Sequence, residues 1–248
     1  MKRILETAVE SVDGAMIAQQ NGADRLELCS ALELGGFTPS VGLIRAIKKH
    51  ISIPVFALIR PRSGDFLYSE TEFETIVNDV LEAKKQGLDG VVIGFLNSDG
   101  TIDVEKTKTV CQLAHPMAVT FHRAFDVCRN PMEAMEQIIV AGCHRILTSG
   151  QQQVALDGSS LIRDLVEKAQ GRIIFLAGSG VRANNVKEII EKTGAVEVHT
   201  SAKTDKQSNM SYRKQGVNMG SKYCNEFAVA SVDGEMVREI REIIDGVF

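Results

Sequence analysis

Tryptophan is absent from this 248-residue chain, and all aromatic residues together make up only 5% of it. So few rings give little material for the stacking platforms that bind single-stranded nucleic acid. An excess of basic charge is missing as well: 28 Lys and Arg stand against 32 Asp and Glu, a net charge of -4. A nucleic-acid surface would be basic, so no nucleic-acid partner is expected. No stretch approaches the roughly 18 consecutive apolar residues of a membrane helix, so no membrane partner is expected either. Met1 to Glu10 carries Glu6 and lacks the apolar core and small-residue cleavage site of a secretory signal, which predicts a cytoplasmic protein. The five cysteines at 29, 111, 128, 143 and 224 include no C-x-x-C pair, so neither a disulfide framework nor a zinc finger is expected.

What is present is a regular alternation. Eight short apolar runs occur at Arg3–Val9, Arg25–Cys29, Pro54–Ile59, Gly90–Phe95, Met117–Phe121, Arg145–Thr148, Arg172–Ala177 and Ala195–His199. Continuous runs of this kind are expected of parallel strands buried on both faces. The segments between them carry helix signals. Ser69 to Glu72 forms a capping box before Phe73, Ile76, Val77, Val80 and Leu81 at helical spacing. Asn130-Pro131 with Glu133 supplies an N-cap, a first-turn proline and an acidic third position. Thr38-Pro39 is read as opening a helix through Leu43, Ile44 and Ile47. A Gly-turn-strand pattern recurs at 21–28, 86–93, 141–148 and 193–200, at the even-numbered runs. Eight β-then-α units with a two-unit repeat predict a single-domain α/β (β/α)8 TIM barrel over 1–248. A doubly wound sheet fits less well, because no G-x-G-x-x-G follows the first run. Residues 203–224, polar and without a period, are expected to form a long loop after the eighth strand, with a last helix over 231–245.

Active sites of barrels lie at the C-terminal ends of the strands. Those ends carry Glu6; Glu27 and Cys29; Arg60, Arg62 and Asp65; His122, Arg123 and Asp126; Ser149; Gly178-Ser179-Gly180; and His199 with Ser201. Ionised groups inside buried strands must be paired or functional. Glu6, Glu27, His122, His199 and Asp126 are therefore the candidate acid/base groups. Glu6 and Glu27 with the histidines are also an alternative set of divalent-metal ligands. Arg60, Arg62 and Arg123, with Asp65, Ser149 and Ser201 beside them, point to a small anionic ligand, since guanidinium forks match oxyanions. The Gly178-Ser179-Gly180 turn is read as a phosphate cradle.

Several long motifs in order resemble the CutC family: Gly22–Cys29, Gly35–Ser40, Ile59–Arg62 with Gly64–Phe66, Thr120–Asp126 and Leu147–Gly150. The resemblance implies a TIM barrel, a role in copper homeostasis, and Cu(I) held through Cys29. Some members carry a second cysteine where Ala8 stands here, and another where Gln151 stands, so a site needing two of those thiols cannot form in this chain. The alternative to copper binding is an enzyme acting on a small anionic or phosphorylated metabolite. A homodimer is expected by analogy with other barrels.

Overall fold

The computed structural model describes residues 2–214, 216–217 and 225–247. Eight parallel strands close into a barrel in sequence order. They are β1 (Ile4–Val9), β2 (Arg25–Leu28), β3 (Val55–Leu58), β4 (Gly90–Ile93), β5 (Ala118–Phe121), β6 (Arg145–Thr148), β7 (Ile174–Ala177) and β8 (Glu197–Thr200). A helix follows each: α1 (Val12–Gln20), α2 (Val41–His50), α3 (Glu70–Lys85), α4 (Val104–Ala114), α5 (Pro131–Ala141), α6 (Ser159–Ala169), α7 (Val186–Thr193) and α8 (Gly234–Gly246). This is the predicted (β/α)8 barrel.

The caps explain where most helices start. Ser11, Ser40, Asp103, Asn130 and Asp233 each accept a backbone N–H of the first turn, and Ser69 with Glu72 closes the full capping box. Thr38-Pro39 is therefore not the start of α2; Ser40 is its cap. The helices bury stripes such as Val237, Ile240 and Ile244 against the strands. No helix among the described residues is long and apolar enough to cross a membrane.

The segment after β8 departs from the sequence reading. Two antiparallel strands, β9 (Lys203–Gln207) and β10 (Ala228–Val232), flank it, with Thr204 opposite Ser231. Ser231 and Val232 thus belong to β10, and the last helix begins at Gly234. The pairing joins segments about twenty residues apart, and β9 is polar and fully exposed. Such a strand lacks the apolar alternation by which a strand is read from sequence. Residues 218–224, part of the predicted loop, lie outside the described residues.

Candidate functional site

Strand side chains alternate between faces, so Arg25 and Glu27 share the inner face of β2, and Glu197 and His199 that of β8. Register places Glu6 opposite both Arg25 and His199. The result is a continuous chain of charges through the barrel. Arg25 Nε donates to Glu6 Oε2 at 2.5 Å, and its other arm donates to Glu197 Oε2 at 2.5 Å. Arg145 Nε reaches Glu197 from β6, the next strand but one, at 2.9 Å. Phe56 lies under both guanidiniums, 4.9 Å and 5.5 Å from its centroid. Two carboxylates and two guanidiniums balance, which leaves Glu27 and His199 as the titratable pair above them.

His199 Nδ1 lies 2.8 Å from Glu6 Oε1. Burial alone would raise the Glu6 carboxyl, but Arg25 and the His199 hydrogen bond overcome it and hold Glu6 well below the usual range, near 2. An ionised Glu6 only accepts, so His199 Nδ1 carries the proton and Nε2 is the nitrogen that titrates. For His199, burial works against the charged form, yet the Glu6 hydrogen bond and the charges of Glu27 and Glu6 raise its pKa. Glu27 differs from both. It is buried, its Oε2 has no hydrogen-bond partner among the described residues, and burial pushes its carboxyl up to about 7 against the pull of His199.

Above this pair opens a cavity of about 670 Å³, lined by Glu27, His199, Arg60, His122, Arg123, Asp126, Ser179, Gly180 and Ser201 among others. Glu6 lies beneath its floor, behind His199. Arg60 is buried and makes no ion pair among the described residues. Its guanidinium instead donates to the carbonyls of Leu34, Gly36 and Gly64, and its Nε has no partner among the described residues. Gly35 and Gly36 adopt left-handed φ of 88° and 83°, and a side chain on Gly35 would come within 2.9 Å of that guanidinium.

His122 plays a different part from His199. Its Nδ1 accepts the Ala124 N–H at 3.0 Å, which puts the proton on Nε2, a buried donor with no partner among the described residues. Burial and the Arg60 charge lower its pKa to about 3. His122 is thus a neutral hydrogen-bond donor at neutral pH rather than the proton carrier read from the sequence.

Other expected site residues serve the framework. Arg62 and Asp65 do not line the cavity. Arg62 pairs with Glu72 of the α3 capping box at 2.5 Å and with Asp65 at 3.1 Å. Asp126 accepts from Thr148, from Ser149 through both N and Oγ, from Gln151 N and from Arg123 Nε. A carboxylate so saturated ties the β5 and β6 loops together. Ser149 is spent in the same network and is absent from the cavity wall. At the predicted cradle, a side chain on Gly178 would meet Leu147 at 2.5 Å and His199 at 3.2 Å; on Gly180 it would meet Val154 at 2.6 Å. Ser179 Oγ donates to Gln153 O. These glycines are accounted for by packing, and Gly178 makes room for His199.

Sequence reading missed Arg25, Glu197 and Arg145, as well as Arg182 and Lys203 on the cavity wall. The signal was there in the i, i+2 spacing of Arg25 with Glu27 and of Glu197 with His199.

Cys29 does not offer a copper site. It is buried with Phe56, Leu58 and Val92, its thiol points at the Val9 carbonyl 3.6 Å away, and burial raises its pKa strongly. Among the described residues the only group of three metal-ligating side chains is Glu6, Glu27 and His199, with ligand atoms within 4.8 Å of one another. These are oxygen and nitrogen donors, unsuited to Cu(I). Both Glu6 oxygens and His199 Nδ1 already hold partners.

The CutC family model matches residues 3–204. A CutC family protein from Chromobacterium violaceum is 44% identical over 99% of both chains. The human copper homeostasis protein cutC homolog is 43% identical over 98% of this chain and 90% of its own. The crystal structure of a copper homeostasis protein CutC from Streptococcus agalactiae superposes with a TM-score of 0.77 at 30% identity, covering 80% of this chain and 98% of that one. Phosphoribosylanthranilate isomerase from Pyrococcus furiosus, at 15% identity and a TM-score of 0.57, shares the fold. On its motifs, its barrel and these matches, the chain belongs to the CutC family.

Proposed function

We propose that this barrel is an enzyme acting on a small anionic molecule, with Glu27 and His199 moving the proton. The observation that carries this reading is Glu27: a buried carboxyl at a cavity floor, with no hydrogen-bond partner for Oε2 among the described residues, beside an imidazole oriented by Glu6. A group near 7 both gives and takes protons at neutral pH, and a histidine held by a carboxylate is the usual base-and-orienter pair. Arg60, a buried cation with no carboxylate partner among the described residues, calls for a ligand of negative charge. Arg182 and Lys203 add positive charge at the exposed wall, where Arg123 and Asp126 neutralise each other. His122, neutral at neutral pH, adds no charge to the cavity wall it helps to form.

Relatives of this chain are named copper homeostasis proteins. A role in copper handling through such chemistry is compatible with this reading. Direct Cu(I) binding at Cys29 has no support in the geometry around it.

Calorimetric titration at pH 7 with inorganic phosphate and with a short dicarboxylate, each in two buffers of different ionisation enthalpy, tests the reading. An anion beside Glu27 favours its protonated form, so binding takes up a fraction of a proton. The expected result is millimolar or tighter binding with proton uptake, weakened in Arg182→Ala/Lys203→Ala and without uptake in Glu27→Gln. Absence of binding by either probe, or unchanged uptake in Glu27→Gln, overturns it.

A further inference from the structure

A cavity of about 670 Å³ takes a whole organic ligand and is far larger than one phosphate or carboxylate group. The cations on its wall that lack a carboxylate partner lie in two places. Arg60 follows β3, which stops at Leu58. Arg182 follows β7, and Lys203 follows β8 at the start of β9. Neither Arg182 nor Lys203 makes an ion pair among the described residues; Arg182 Nη1 rests against Met236 Sδ. Arg123 is neutralised by Asp126.

The eight strands close in sequence order, so β3 and β7 stand opposite each other. Strands about 4.8 Å apart, tilted by about 36°, make a ring about 15 Å across. Neither pole is free to cross it. Arg60 is tied to its own wall by the carbonyls of Leu34, Gly36 and Gly64. The turn that carries Arg182 is braced by Asn185, whose Oδ1 accepts the Arg182 N–H and whose Nδ2 donates to Gly180 O, both at 2.8 Å. The pairing of β9 with β10 sets Lys203 opposite Val232. Ala8, Leu58, Phe66 and Leu147 add apolar surface to the same wall. Glu27 is on β2 and His199 on β8, the strands next to β3 and β7, so the acid/base pair lies between the poles.

We propose that the substrate is an elongated organic dianion, with one acidic group at Arg60, the other at Arg182 and Lys203, and an apolar spacer across the mouth. This rests on the reading of the cavity as an enzyme site for an anion, and narrows that anion to one with two separated acidic ends.

Calorimetric titration of the full chain at pH 7 with hexanoate and with the straight-chain dicarboxylates of four, six and eight carbons tests it. Hexanoate and the six-carbon diacid have the same length and differ only in the charge at the far end. The six- or eight-carbon diacid is expected to bind at least about tenfold more tightly than hexanoate, because its second acidic group binds intramolecularly. It is also expected to bind more tightly than the four-carbon diacid. In Arg182→Ala/Lys203→Ala, at two exposed positions, the advantage over hexanoate is expected to disappear. Hexanoate binding as tightly as the diacids, or a diacid advantage that survives in the double variant, overturns the dianion and leaves the anion site standing. Absence of binding by all four overturns it as well, and the enzyme reading falls with it only where inorganic phosphate is also unbound.

Discussion

Replacing Glu27 by Gln removes a carboxyl that the fold holds at a cost. In the folded chain Glu27 titrates near 7, against 4.5 when exposed, because burial disfavours its charge. The linkage sign follows from proton counts. Below 4.5 both states are protonated and nothing is lost. Between 4.5 and 7 the unfolded chain releases its proton while the folded chain keeps it, so stability falls as pH rises. Above 7 the full penalty stands. The separation of about 2.5 pH units, at roughly 1.4 kcal/mol each, corresponds to about 3 kcal/mol. His199 acts in the same direction, since its folded pKa is also raised, partly by the Glu27 charge. Glu27→Gln keeps the shape and loses the charge, so it is expected to be more stable than wild type at pH 8 and equal to it near pH 4.5. For a barrel of this size that is a rise in Tm of about 6–12 °C at pH 8. Thermal and urea unfolding at half-unit pH steps measures it. Equal stability of the two proteins at pH 8 would refute the assignment of Glu27 as a strained functional group.

Other perturbations separate the framework from the cavity. Arg25→Ala takes the shared cation from two buried carboxylates, leaving Glu6 to His199 and Glu197 to Arg145, and is expected to cost about 3–5 kcal/mol, read as a fall in the urea midpoint. Arg62→Met leaves the cavity untouched and breaks partly exposed pairs with Glu72 and Asp65 together with exposed bonds to the carbonyls of Ser63, Asp65 and Leu67. It is expected to leave calorimetric anion binding unchanged and to cost under about 1 kcal/mol.

Much of the barrel was legible because parallel strands buried on both faces must be apolar runs, and because a glycine turn precedes every second one. The inner chemistry was only half legible. Glu6, Glu27 and His199 stand out as charges within apolar runs toward the C-terminal rim, but Arg25 and Arg145 each open a run, where a charge reads as an end, and Glu197 lies inside the eighth run before its C-terminal end. Arg60 and Arg62 have strand spacing and were taken together; β3 stops at Leu58, the chain turns, and only Arg60 stays at the cavity. Cys29 ends the second run, yet the loop from Ser30 to Phe37 folds back over it through a bridge between those two residues. Such long-range cover leaves no mark in local sequence.

Glu27 is the centre of the account, and its carboxyl carbon is directly observable. The wild-type chain and Glu27→Gln, labelled with 13C at the glutamate side-chain carboxyl, would be titrated by NMR from pH 4 to 9. The account predicts one resonance with a midpoint near 7 that is missing in the variant. A Glu27 resonance that has finished titrating below pH 5 would contradict it.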